Sequence, residues 1–122
     1  MISNLRYFVG YFGELIVLLY LKLKWYNIEK HRYRCKCGEV DLIASRKNEL
    51  VFLEVKTSLF GKEIPISDAQ CRSIVNASKY FLSKNIRFLD YSIRYDLCFL
   101  SLKKSFYFSD KKPNSFLIFE TL

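Results

Sequence analysis

Apolar residues recur along the chain with a helical period in two segments. Residues 4–24 are apolar almost throughout and predict one helix that ends in a basic stretch. A second helical pattern begins after Ser67, which we expect to be its N-cap, and continues to Lys84. The inward face of this second helix is predicted to carry three apolar side chains: Ile74, Ala77 and Phe81.

Stretches rich in Val, Leu, Ile and Phe lie between and after the two helices, and they predict strands. Three of these stretches precede the second helix, at residues 26–35, 38–44 and 50–57. The later stretches predict a strand at residues 90–102 and one or two short final strands, at residues 105–110 and 115–120. The order αβββαβ, followed by short C-terminal strands, predicts a single α/β domain (α+β mixed) over residues 1–122. We expect a central mixed β-sheet flanked by helices.

The apolar N-terminal helix raises the question of a membrane span. Between residues 7 and 21 the only charged residue is Glu14. This run of about 15 residues is shorter than the roughly 20 that a crossing helix needs, and a carboxylate at its centre is costly in lipid. The sequence therefore favours a buried helix of a cytoplasmic domain with no membrane partner. A membrane-associated protein stays open as an alternative.

Composition and charge narrow the class of protein further. An apolar content of 51% excludes a disordered chain, and a net charge of +8 suggests a polyanionic partner, either nucleic acid or an acidic membrane surface. The N-terminus shows no cleavable secretory signal, so we expect the four cysteines to be free thiols in a reducing compartment. Cys35 and Cys37 resemble half of a zinc site, but no second pair follows at a compact spacing, which disfavours zinc.

Charged residues interrupt two of the predicted strands. We expect these strands to form a hairpin whose turn is centred on residues 47–48, which places Asp41 opposite Glu54. Glu39 then lies opposite Lys56, and all four side chains share one face because side chains alternate across a strand. Two carboxylates whose Cβ atoms are about 4.5–5.5 Å apart repel each other unless a proton or a cation lies between them. Such oxygen ligands suit Mg²⁺ (or Mn²⁺), which completes its coordination with water and substrate phosphate.

The apolar residues of the same hairpin support this register. They would bury together on its other face: Val40, Leu42, Leu53 and Val55. A slip of one residue would turn Glu54 away from Asp41 and would remove the site. Lys56, on the charged face, would orient an attacking water or neutralise developing charge, and the alternative is a surface salt bridge with Glu39.

A row of basic residues lies along the first predicted strand. Its members alternate with other side chains and suit a phosphate backbone: Lys30, Arg32, Arg34 and Lys36. The alternative interpretation is an ordinary solvated edge strand, which its charges protect from aggregation. His31, in the same stretch, has no obvious partner in the sequence, and we expect a solvated or DNA-facing residue rather than a general base.

Four segments together carry a resemblance to a known group of proteins: "GYFGE" (10–14), "CGEVDLIA" (37–44), "LVFLEVKT" (50–57) and "RYD" (94–96). An Asp followed by Glu-x-Lys on adjoining strands is similar to the PD-(D/E)xK superfamily of nucleases with a restriction-endonuclease-like fold. More closely, the chain resembles the YraN-like family (Uncharacterised Protein Family 0102). These bacterial proteins are regarded as endonucleases, and their core is similar to that of archaeal Holliday-junction resolvases. The resemblance spans roughly residues 8–100.

The resemblance implies a role for each matching residue. The implied metal ligands are Asp41, Glu54, the Val55 carbonyl and Glu14. Lys56 would assist the attacking water. Glu14 would reach the site from the first helix, where it would hold a second ion or its water shell. The alternative is that Glu14 forms an ion pair with an arginine such as Arg94.

Other matching positions leave two interpretations open. Gln70 matches a polar catalytic position of the superfamily, and it also completes a capping box with Ser67. Arg94 and Asp96 match a pattern that is either a buried structural pair or, through Arg94, a contact to phosphate. Glu39 belongs to the closer family's pattern, where it would hold a second metal or a water. The family often carries Arg after "EVKT", so Ser58 removes an expected phosphate contact.

The sequence thus predicts a cytoplasmic, metal-dependent endonuclease that hydrolyses phosphodiester bonds in DNA, including branched or structured DNA. The alternative is a nucleic-acid-binding protein of the same fold without turnover. Because a resolvase that acts on paired strands needs two sites, a homodimer is a further expectation.

Overall fold

The computed structural model describes residues 2–58, 66–101 and 117–121. Its helices and strands follow the predicted order, and their bounds are α1 Ile2–Leu23, β1 Asn27–Cys35, β2 Gly38–Arg46, β3 Glu49–Ser58, α2 Asp68–Lys84, a 3₁₀ turn at Ile86–Phe88, β4 Ser92–Ser101 and β5 Leu117–Thr121. The α/β fold class is therefore confirmed. The predicted strand at residues 105–110 lies outside the described residues.

The five described strands form one mixed sheet in the order β1-β2-β3-β4-β5. Three neighbouring pairs are antiparallel, and β3 pairs with β4 in parallel. A parallel pair needs a crossover connection, and α2 lies in that connection. β1 occupies one edge of the sheet, as its charged sequence predicts.

The β2–β3 hairpin has the predicted turn and register. Lys47 and Asn48 have φ angles of 49° and 63°, which are the left-handed values that a two-residue type I′ turn requires at both positions. Such a turn matches the right-handed twist of the strands and fixes the pairing. The ladder runs from the pair Arg46–Glu49 to the pair Leu42–Leu53.

The sheet is buried between the two helices. On one face, Val17 and Leu21 of α1 pack in a cluster with Leu42 and Leu53. On the other face lies the α2-side core, formed by residues from both layers: Val40, Ile43, Leu50, Phe52, Ile74, Ala77, Phe81 and Phe88. The predicted inward face of α2 is thereby confirmed.

Val40 differs from its expected place. It was predicted to bury with Leu42, but it packs on the α2 side, as does Ile43. Two residues three positions apart share a face only if the strict alternation of the strand is broken between them. The break lies beside Asp41.

Close packing fixes α2 against the start of β2. A Cβ added at Gly38 would overlap the backbone carbonyl of Ser73, so the helix approaches the strand where only glycine fits. Ser73 Oγ also accepts a hydrogen bond of 2.9 Å from the backbone N–H of Glu39. These contacts hold the end of β2 that carries Glu39 and Asp41.

Two further observations concern the cysteines and the helices. The four cysteines are free thiols, and burial raises the pKa of the Cys98 thiol to about 12. Of the helices in the described ranges, none combines the length and the apolar character that crossing a bilayer requires.

Candidate active site

The candidate site lies where β2 and β3 separate. Their ladder ends at the pair Leu42–Leu53, and beyond it β2 continues beside β1 while β3 continues beside β4. Asp41 is the first residue of β2 past this point, and its Oδ2 accepts a hydrogen bond of 2.8 Å from the backbone N–H of Val55. The carboxylate thus satisfies a backbone donor that the diverging strand leaves without a ladder partner.

Asp41 and Glu54 are brought into contact, as their register predicts. Burial, a hydrogen bond to the Asp41 carboxylate and repulsion from its charge together raise the pKa of Glu54 to about 9. In the protein alone Glu54 therefore holds a proton at neutral pH. A divalent cation would replace that proton and satisfy both groups, so this donor set fits Mg²⁺ or Mn²⁺.

Lys56 and Glu39 both act on Glu54 electrostatically. The positive charge of half-buried Lys56 lowers the pKa of Glu54, and the negative charge of Glu39 raises it. The other three predicted members of the charged face therefore all lie within electrostatic range of Glu54.

The predicted pairing of Glu39 with Lys56 is wrong. Because β2 has already left β3 at this point, Glu39 instead lies opposite Arg34 of β1. Its carboxylate forms an exposed salt bridge of 3.4 Å with the Arg34 guanidinium. The surface salt bridge considered for Lys56 is thus replaced by one between β1 and β2.

Glu14 reaches the same region from α1. It lines a cleft of about 180 Å³ together with Asp41 and Glu39. Its Oε2 accepts a hydrogen bond of 2.9 Å from Arg32 Nε and lies 3.1 Å from His31 Nε2. Glu14 therefore pairs with an arginine, although that arginine is Arg32 rather than Arg94. It also lines the same cleft as Asp41, and its role as a metal ligand stays a prediction.

A local distortion of β1 brings two consecutive side chains to Glu14. Arg32 has a φ of 55°, in the left-handed region, and the register of β1 also shifts between Ile28 and Lys30. A regular strand would direct His31 and Arg32 to opposite faces. The contact between His31 and Glu14 was not predicted, because no local signal in the sequence indicates the distortion.

The basic row divides into two parts. Arg32 and Arg34 line the cleft beside the carboxylates, whereas Lys30 is exposed on the edge strand and Lys36 is exposed in the turn after it. Two cations at the mouth of an acidic cleft can bind a phosphate without entering the metal-ligand set.

Gln70 lies in the first turn of α2, where it forms the predicted capping box. The backbone N–H of Ser67 donates to its Oε1 at 3.1 Å, and Ser67 Oγ accepts from the Gln70 N–H at 3.1 Å. The side chain therefore has a structural task, and its catalytic role stays a prediction.

Arg94 forms a buried structural cluster away from the cleft. Its Nε lies 2.8 Å from Asp96 Oδ2, its Nη1 lies 2.7 Å from Glu49 Oε1, and its Nη2 donates to the Tyr26 hydroxyl at 3.4 Å. The structural interpretation of the Arg94–Asp96 pair is therefore the one that the contacts support. A phosphate contact by Arg94 would require it to leave carboxylates on two strands.

Among residues 2–58, 66–101 and 117–121, no three His, Cys, Asp or Glu side chains form a group that could hold a metal ion. A cation at Asp41 and Glu54 would therefore take its remaining ligands from backbone oxygen, water and substrate. This is the usual coordination of Mg²⁺, which keeps several waters. The Val55 carbonyl, as the backbone ligand, stays a prediction.

Comparison with known proteins places these residues in a family context. A family model described as "Uncharacterised protein family UPF0102" matches residues 13–100, a span that includes the carboxylates and Lys56. A UPF0102 protein of Ehrlichia ruminantium (strain Gardel) is 54% identical over 94 residues, which cover 77% of this chain and 74% of that protein.

Two further relatives extend the comparison. A UPF0102 protein of Ehrlichia chaffeensis (strain ATCC CRL-10679 / Arkansas) is 52% identical over 96 residues, or 79% of each chain. One from Caldanaerobacter subterraneus subsp. tengcongensis is 40% identical over 94 residues, which cover 73% of this chain and 75% of the relative.

Proposed function

The chain belongs to uncharacterised protein family UPF0102, as the resemblance to the YraN-like family predicts, and we propose that it is a metal-dependent endonuclease that hydrolyses phosphodiester bonds in DNA. One observation carries this proposal: the Asp41 and Glu54 carboxyl groups lie together at the point where their strands separate, and Lys56 lies on the same strand as Glu54. A purely structural hairpin gains nothing from two carboxylates in contact, because their repulsion destabilises it.

In this proposal Asp41 and Glu54 hold a divalent cation with the Val55 carbonyl as a further ligand, and Glu14 would hold the water shell of the cation. The bound cation would supply Lewis-acid polarisation of the phosphodiester and would lower the pKa of a water. Asp41 is already oriented for this task, because the Val55 N–H fixes one of its oxygens. Carboxylates held in this way cost little reorganisation during the reaction.

Lys56 would act on the nucleophile. Its ammonium lies on the strand that carries Glu54, two residues further along, and it is half-buried. In this position it can donate hydrogen bonds to the attacking water and can offset the negative charge that develops on the phosphorus oxygens.

The arginines of the cleft would bind the DNA backbone. Arg34 is exposed, and Arg32 is held beside the site by Glu14. A phosphate that enters the cleft would offer Arg32 a second anion, and Glu14 would then be shared with the cation. The net charge of +8 supports long-range attraction of DNA to the same surface.

A cleavage assay tests the proposal. Labelled single-stranded, duplex, flapped and four-way-junction DNA would each be incubated with Mg²⁺, with Mn²⁺ and with EDTA. We expect cleavage that needs the metal and falls by about 100-fold or more in the Asp41→Asn and Lys56→Ala proteins. Asp90→Asn and Lys79→Ala, which make the same charge changes at exposed positions, serve as matched controls and should retain activity.

The alternative function has a distinct outcome in the same experiment. A binding protein without turnover would shift all the DNA substrates in a gel but leave them intact with either metal. Equal cleavage by wild-type and Asp41→Asn proteins would instead indicate a contaminating nuclease and would overturn the proposal.

A further inference from the structure

The outer face of α1 carries an apolar stripe that remains exposed to solvent. We define the outer stripe by four residues of this helix: Phe12, Leu15, Leu19 and Leu23. These side chains are exposed by between 40% and 71%. Their spacing of three and four residues places them on one side of the helix.

The outer stripe lies opposite the face that packs on the sheet. Val17 and Leu21 point into the core and are at most 3% exposed. A helix at a protein surface normally directs charged residues outward, but the outer stripe has none. The helix therefore has two apolar faces, and the fold covers one of them.

We propose that the outer stripe is an interface at which a second copy of this chain docks, helix against helix. The spacing of the stripe supports a second copy because it is self-complementary. About a two-fold axis between Leu15 and Leu19, Leu15 of one copy faces Leu19 of the other, and Phe12 faces Leu23. None of the four residues of the outer stripe is charged, so such a contact would bury no unpaired charge between them.

The exposed apolar area of the stripe also supports a second copy of this chain as the partner. Phe8, one turn before Phe12 on the same side of the helix, is 68% exposed and extends the stripe. Together these side chains offer roughly 600 Å² of apolar surface in each copy, so two copies would bury about 1,200 Å². This is the lower bound for a specific protein interface, at roughly 1,200–2,000 Å² in total.

The proposed interface leaves the candidate active site open. Glu14 lies on the side of α1 that faces β1, where Arg32 and His31 hold it, and not on the outer stripe. The inference does not depend on the proposed nuclease activity, because the area and spacing of the stripe are independent of the carboxylates.

Sedimentation of the full chain at micromolar concentrations tests the inference. We expect a dimer for the wild type and at least a 100-fold higher dissociation constant for Leu19→Glu, because a two-fold interface would bury the introduced charge twice. Leu23→Glu provides a second variant at the end of the stripe. Both substitutions place a charge at exposed positions, so the melting temperature of the monomer should not fall.

A matched control tests whether dimerisation depends on the outer stripe or on any exposed leucine. Leu89, beside Phe88 of the α2-side core, is 65% exposed, and Leu89→Glu should leave the dimer intact. A monomeric wild type would overturn the inference, as would a dimer that survives Leu19→Glu. A wild-type monomer that floats with phosphatidylglycerol vesicles would assign the stripe to a membrane surface instead.

Discussion

Asp41 and Val55 are joined across the end of the β2–β3 ladder, where the Asp41 carboxylate accepts the Val55 backbone N–H at 2.8 Å. This bond does two things at once. It closes the ladder after the strands have begun to separate, and it fixes the carboxylate beside Glu54. The candidate site is thus a consequence of how the sheet divides.

Two substitutions of Asp41 separate these two tasks. Asp41→Asn keeps an oxygen that can accept the Val55 N–H, and it removes the charge that opposes ionisation of Glu54. We therefore expect Asp41→Asn to fold at least as stably as the wild type at neutral pH. Asp41→Ala leaves the N–H without its partner and should lower the free energy of unfolding by about 1–3 kcal/mol. Urea denaturation in EDTA measures both, and equal losses in the two variants would contradict this account.

The raised pKa of Glu54 predicts how stability depends on pH. Between about 4.5, its ordinary value, and about 9, the folded protein holds a proton that the unfolded chain releases. Without metal, the free energy of unfolding should therefore fall as the pH rises through this window. Glu54→Gln removes this ionisation, and its stability should change less between about pH 6 and about pH 8. Wild-type stability that rises over this range, with no difference from Glu54→Gln, would refute the raised pKa of Glu54.

Gly10 and Gly13 of α1 form a matched pair for a packing test. A Cβ at Gly13 would overlap Thr57 Oγ1, whereas a Cβ at Gly10 would meet nothing within 4 Å in the described structure. Gly13→Ala should therefore destabilise the fold by about 1–3 kcal/mol through overpacking. Gly10→Ala should stabilise it by roughly 0.5–1 kcal/mol, because alanine is the better helix former. Thermal melts of the two variants check the opposite signs, and a loss in both would show that α1 packs differently.

A comparison of Arg94 with Arg34 distinguishes a structural arginine from one that faces the solvent. Asp96, a partner of Arg94, is 3% exposed, so Arg94→Ala should cost roughly 3 kcal/mol of stability. Arg34 forms only an exposed pair with Glu39, and Arg34→Ala should cost under about 0.5 kcal/mol.

The two substitutions should rank in the opposite order for their effect on DNA binding. Arg34→Ala should reduce the salt dependence of binding by about one charge, whereas Arg94→Ala, measured well below its melting temperature, should bind DNA as the wild type does. Fluorescence anisotropy at several salt concentrations gives both values. Weaker DNA binding by a folded Arg94→Ala protein would instead indicate that Arg94 contacts phosphate.

The contact between Asp41 and Glu54 could be predicted from sequence because only local information determines it. A two-residue turn and an apolar alternation on both sides are sufficient to fix the register of a hairpin. The register fixes the carboxylate pair in turn. The helix α2 and its cap were predictable for a similar reason, since the Ser67–Gln70 capping box is complete within four residues.

The surroundings of Glu14 could not be predicted in this way. Its contacts with Arg32 and His31 join α1 to β1 and depend on the left-handed conformation of Arg32, a bulky residue that has no intrinsic preference for it. The face of the sheet on which Val40 is buried was predicted wrongly, because the alternation of side chains along β2 breaks at Asp41. In both cases tertiary contacts overrule the regular strand, and both irregularities adjoin the candidate site.

Titration with Mn²⁺, followed by its electron paramagnetic resonance signal, tests the central claim most directly. The claim is that Asp41 and Glu54 hold a divalent cation. We expect the wild type to bind Mn²⁺ more tightly as the pH rises, because the cation displaces the proton of Glu54. Asp41→Asn and Glu54→Gln should each lose this binding. Glu39→Gln, a matched change at the exposed partner of Arg34, should retain it. Binding that is equal in all four proteins, or absent from the wild type both alone and with duplex DNA, would contradict the claim.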